Sequence, residues 1–117
     1  MAKRILKFFI SDILDAANKI ENYVESIEDF DDFKNNEEKI DAIVRNFEII
    51  GEAANNIPKE IKLKYPDINW RDMVTMRNIL SHEYFQVALQ VVWDTIKEDI
   101  PNIKLLMEHI LKDLEDK

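Results

Sequence analysis

Apolar residues recur at three- and four-residue steps along most of the chain. From about Lys3 to Ile27 the positions Ile5, Phe8, Phe9, Ile13, Ala16, Ile20, Tyr23, Val24 and Ile27 form one stripe, the period of a helix that buries one face. The acidic stretch EDFDDFKNNEE follows without that period and reads as a connecting loop pinned to the core by Phe30 and Phe33. Asn35 or Asn36 can cap a second helix, with Glu37 and Glu38 suited to its positive first turn. This helix extends to about Asn56 and turns Ile40, Ile43, Val44, Phe47, Ile50, Ala54 and Ile57 inward. Pro58 fits the first turn of a short helix, PKEIKLKY, that Pro66 ends. Asn69 reads as the cap of a helix from Trp70 to about Ser81, with Trp70, Met73, Val74, Arg77 and Leu80 on its inner side. A last helical region begins near Gln86. Its apolar face comprises Val91, Val92, Trp93, Ile96, Ile100, Ile103, Leu106, Met107, Ile110, Leu111 and Leu114. Pro101 must kink or divide it, because the ring removes a hydrogen bond and crowds the preceding turn. The expected architecture is all-α: one domain over residues 1–117, a bundle of four main helices plus a short one.

Composition narrows this picture. The 117 residues leave no room for a second core, and 46% apolar content suffices for one. One glycine and three prolines are too few for a multi-stranded β fold. There is no cysteine, so disulfides and thiolate metal sites are excluded. Asp12 and Asp15 interrupt any signal-peptide core at the N-terminus, and no apolar run is long enough for a membrane span. A cytoplasmic protein without a membrane partner is the expectation. A formal charge of −8 argues against broad, charge-driven nucleic-acid binding. That charge is unevenly spread. Residues 25–38 hold seven acids against Lys34, whereas residues 59–77 hold five bases and three acids.

The basic excess adjoins MRNILSHEYF, residues 76–85, where Arg77, His82 and Tyr84 stand together in sequence. On an ideal helix Arg77 and His82 would lie about 140° apart and about 7.5 Å displaced along the axis. To share a site, the helix must loosen near Ser81, Arg77 must reach round, or a two-fold dimer must join two copies. If they meet, imidazole can take and return a proton near pH 7. The guanidinium fork matches phosphate oxygens. That pair suits attack by an RNA 2′-hydroxyl on the adjacent phosphodiester without a metal. From spacing alone, a histidine closing a helix C-terminus is the commoner explanation. A second polar set, Arg45, Glu48, Glu52 and Asn56, follows helical steps. It reads either as a solvated stripe with an Arg45–Glu48 pair or as the wall of a groove opposite Arg77 and His82. Gly51, the lone glycine, sits inside that helix. It marks close approach by another helix or a ligand, or else a tolerated weak spot of about 1 kcal/mol. His109 reads as exposed. No Walker loop, H-x-x-x-H or G-x-S-x-G pattern occurs.

The runs RNFEIIGEAANNIP, INWRDMVTMRNILSHEYF and VVWDTIKEDIP resemble, in order and over essentially the whole chain, the HepT branch of HEPN-domain proteins. The diagnostic element is R-x4-H-x-Y, here Arg77, His82 and Tyr84, with Asn78 after the arginine. The resemblance implies a HEPN-type helical fold, a homodimer with the motif near its cleft, and metal-independent ribonuclease activity with no cofactor of its own. It further implies the toxin role in a type VII-like toxin–antitoxin module. The partner would be a minimal nucleotidyltransferase antitoxin that moves AMP from ATP to Tyr84. Arg77 and His82 would then be catalytic, Asn78 supporting, and Arg45, Glu48 and Glu52 supporting or groove-lining. Two other readings stay open beside it: a non-catalytic nucleotide- or partner-binding module, and a helical protein with no site.

Overall fold

The structure, a computed structural model, describes residues 1–80 and 88–115, with residues 78–80 as backbone alone. Among the described residues there are seven helices and no strand. The first, α1 (Lys3–Val24), buries Leu6, Ile10, Ile13, Ala17, Ile20 and Val24. This line is rotated from the expected stripe. Ile5 and Phe8, expected inward, are 45% and 65% exposed. At 3.6 residues per turn they fall about 100° and about 160° off the buried line. The helix stops at Val24 rather than Ile27, yet Ile27 stays buried as the chain turns.

The acidic stretch contains a helix the pattern did not predict, α2 (Phe30–Lys34). Asp29 caps it by accepting from the Asp32 amide at 2.9 Å, and Asp31 and Asp32 suit the first turn. Five residues are too few to display a period. The helix serves to seat Phe33, which is fully buried with its ring 5.1 Å from that of Trp93.

Helix α3 (Glu37–Asn55) is capped by Asn36, whose side chain accepts from the Lys39 amide at 3.2 Å. Pro58 takes the N-cap position of the short α4 (Lys59–Lys64), just outside its first turn. Helix α5 (Trp70–Leu80) begins at Asn69, whose Oδ1 accepts from the Asp72 amide at 3.2 Å. The last region is two helices, α6 (Leu89–Glu98) and α7 (Ile100–Glu115), divided at Asp99. Pro101 is the second residue of α7, where an amide hydrogen has no helical partner to lose. The proline therefore divides rather than kinks. Val91, expected on the apolar face, is 50% exposed. Gln86, the expected start of this region, lies outside the described residues.

Helix α1 packs against α3 and α7, and α3 also carries α5; α6 rests on α7 and α2. The α1–α7 pair is antiparallel, tied by Glu21–Lys104 at 2.6 Å near one end and Lys7–Glu115 at 3.9 Å near the other. Isoleucines 10, 13, 20, 43, 50, 100 and 110 are each at most 2% exposed. Each such fully buried side chain adds about 1.5–3 kcal/mol to the favourable side of folding. No helix among the described residues is long and apolar enough to cross a membrane.

Candidate functional site

The site is organised by a close crossing of α3 and α5. Gly51 is buried on α3. A methyl group built there would stand 2.4 Å from Arg77 Cβ, 3.2 Å from Arg77 Cγ and 3.1 Å from the Met73 carbonyl oxygen. Carbon atoms normally settle about 3.5–4.0 Å apart, so α5 comes this near only because residue 51 has no side chain. Of the two readings open for Gly51, close approach by another helix is the one found. The stem of Arg77 lies directly over it.

One residue further along α3, Glu52 receives the head of that arginine. Arg77 Nη1 donates to Glu52 Oε1 at 2.9 Å. The arginine side chain is 26% exposed and the glutamate 64%. A pair this open contributes at most about 1 kcal/mol to folding, so its significance is geometric: the guanidinium is aimed. Arg77 also lies in the last turn of α5, where a cation is favoured by the helix dipole.

The polar stripe on α3 is thus divided. Arg45 Nη1 and Glu48 Oε2 meet each other at 3.5 Å, as the solvated-stripe reading expects. Asn56, the C-cap of α3, donates its side-chain amide to the Glu52 carbonyl at 2.8 Å. Asn46, buried at 5%, spends its amide on the Ala42 carbonyl at 2.8 Å. Sequence reasoning did not single it out, although its place between Ile43 and Ile50 on the inward line was the available signal. His82 and Tyr84 lie outside the described residues, and Asn78 is described by its backbone alone.

Two other features bear on where a ligand could sit. A cleft of about 310 Å³ opens on a different side of α5, toward α6 and α7, over Met73, Met76 and Leu106. Asp67, Asp72 and Asp99 line it, while Arg77 and Glu52 do not. Three carboxylates repel a phosphodiester, so this cleft is unsuited to an RNA backbone. Outside that cleft, Tyr65 donates its hydroxyl to Asp113 at 2.7 Å. His109, exposed as expected, approaches the same carboxylate at 3.4 Å. Burial, the hydrogen bond to Asp113 and its charge push the Tyr65 phenol up to about 12. Among the described residues no group of three or more His, Cys, Asp or Glu side chains is placed to hold a metal ion.

Comparison with known proteins gives this arrangement its context. The family profile described as "Ribonuclease HepT-like" matches residues 13–110. A protein of Methanocaldococcus jannaschii provisionally named as an RNase is 44% identical over 117 residues, all of both chains. A second from the same organism, also provisionally named as an RNase, is 44% identical over 117 residues, all of this chain and 96% of that one. A provisionally named ribonuclease HepT of Thermococcus cleftensis is 43% identical over 110 residues, 94% of this chain and 99% of that one. No solved structure matches. With a family match across most of its length and relatives this similar from end to end, the chain belongs to the HepT-like family of HEPN-domain proteins.

Proposed function

We propose that the protein is a ribonuclease and the toxin of a toxin–antitoxin pair, cleaving RNA through Arg77 and His82. The observation that carries this reading is the motif Arg77, His82, Tyr84 in a chain 44% identical from end to end to a relative named for RNase activity. The aimed guanidinium of Arg77 supports it. In the reaction, His82 as neutral imidazole takes the proton of the RNA 2′-hydroxyl, and the 2′-oxygen attacks the adjacent phosphorus in line. Arg77 stabilises the charge that gathers on the non-bridging oxygens. The bond from phosphorus to the 5′-oxygen breaks, imidazolium returns the proton to that oxygen, and a 2′,3′-cyclic phosphate remains. No metal ion is needed for these steps. A homodimer, with the motif at its cleft, completes the arrangement.

Neutralisation follows from the third motif residue. The partner antitoxin, a minimal nucleotidyltransferase, moves AMP from ATP to the Tyr84 hydroxyl, releasing pyrophosphate. The adduct is bulky and anionic, so it obstructs RNA and competes with it for the Arg77 cation. Mass spectrometry of the co-expressed pair should find AMP on Tyr84, and the modified protein should not cut RNA. Unmodified Tyr84 in a neutralised pair would refute this route. The charge of −8 favours one rival, a non-catalytic module that holds a nucleotide phosphate at Arg77. Calorimetry with ATP and AMP beside an RNA assay separates the two: nucleotide binding without cleavage supports the rival.

A further inference from the structure

Two contacts that hold the Arg77 side chain come from α3. Its Cβ and Cγ crowd the empty position above Gly51, which fixes where the stem leaves α5. At its tip, Nη1 is bonded to Glu52 Oε1 at 2.9 Å. Residues 51 and 52 are adjacent on α3, so one turn of that helix both admits the stem and anchors the head. The ion pair is too exposed to matter much to folding. Its consequence is conformational. An arginine head that loses a charged partner samples more rotamers, and turnover suffers when a charged group must find its alignment in each cycle. The guanidinium carries five donors in a planar fork, and the bond to Glu52 engages Nη1 alone of its nitrogens.

We propose that Glu52 is a positioning residue, holding the Arg77 guanidinium in the orientation in which it meets the scissile phosphate. The proposal rests on the ribonuclease reading above. A carboxylate could instead merely compete with phosphate for the cation, and the two roles have opposite kinetic signatures. Loss of a positioning residue lowers kcat with little change in KM, whereas loss of a competitor lowers KM.

The test is steady-state cleavage of a short RNA oligonucleotide in EDTA by the wild type, Glu52→Ala and Glu52→Gln, each checked for folding by circular dichroism. Nitrogen NMR of the arginine side chains is recorded on the same proteins without RNA, with the Arg77 signals assigned through Arg77→Lys. In the wild type, the anchored guanidinium should show slow rotation about its terminal C–N bond and resolved Nη signals. In Glu52→Ala those signals should merge, and kcat should fall roughly 10- to 100-fold with KM within about threefold. Glu52→Gln keeps an acceptor oxygen without the charge and should recover part of the lost turnover. Wild-type kcat in Glu52→Ala, or unchanged Arg77 signals in it, overturns the proposal. So does a lower KM with higher kcat/KM in both variants, which would mark a competitor. A wild type that cleaves nothing removes the ribonuclease reading and the catalytic role together; the NMR comparison then decides whether Glu52 anchors Arg77 at all.

Discussion

Replacing Gly51 by alanine tests the packing that places Arg77. The added methyl would stand 2.4 Å from Arg77 Cβ and 3.1 Å from the Met73 carbonyl oxygen. Against an ordinary carbon contact of about 3.5–4.0 Å, α5 would have to retreat by more than about 1 Å. The colliding atom is a Cβ, which no rotamer change can move, so relief requires a shift of backbone. Overpacking costs about 1–3 kcal/mol, and a clash with atoms fixed to the backbone falls in the upper part of that range, about 2–3 kcal/mol. Opposing it, alanine favours a helix interior over glycine by about 1 kcal/mol. The steric term wins because two atoms are struck and both are fixed to α5. The expected net loss is about 1–2 kcal/mol, or a Tm lower by about 4–8 °C for a chain of this size. Thermal unfolding followed by circular dichroism, at matched protein concentration, measures it. A Tm equal to or above the wild type would refute the reasoning, since open space at Gly51 would let the propensity gain show.

Three further outcomes follow from the same contacts. Asn36→Ala removes the cap on α3 and should lower stability by about 1 kcal/mol; urea unfolding with an unchanged midpoint would contradict it. Phe33→Ala empties a fully buried position against Trp93 and should cost about 3–5 kcal/mol, read as a lower urea midpoint with loss of near-ultraviolet aromatic signal. The Tyr65 phenol, normally near 10, is pushed up to about 12 by burial, its hydrogen bond to Asp113 and that carboxylate's charge. A raised folded value means that the stabilisation is fully present below pH 10 and is lost as pH climbs toward 12. In Tyr65→Phe that part of the alkaline loss should vanish; an identical alkaline profile in both proteins would contradict it.

Much of this fold is legible in the sequence because long amphipathic helices advertise their period. Helix α3 was readable from its cap to its end, and Pro101 marked the α6–α7 boundary through the missing amide hydrogen. Helix α2 was not, since five residues cannot show a period and only Asp29 hinted at a start. Ile5 and Phe8 misled because an apolar residue near a helix end can satisfy the step rule while pointing off the buried line. At the site, local pattern brought Gly51, Glu52 and Arg77 into view separately. What joins them is a contact across 25 residues, set by how α3 and α5 cross, and no local period encodes that. The division of the polar stripe had the same origin: Arg45 and Glu48 pair along one helix, while Glu52 looks across to another. The i, i+5 spacing of Arg77 and His82 states a geometric demand from sequence alone.

The central claim is that Arg77 and His82 cleave RNA without a metal, and single-turnover cleavage of a defined RNA in EDTA tests it most directly. The wild type should yield 2′,3′-cyclic phosphate ends. Arg77→Ala and His82→Ala, both folded by circular dichroism, should be slower by about 10²–10⁴-fold. Cleavage that appears only with added metal, or a His82→Ala protein as fast as the wild type, would contradict the account.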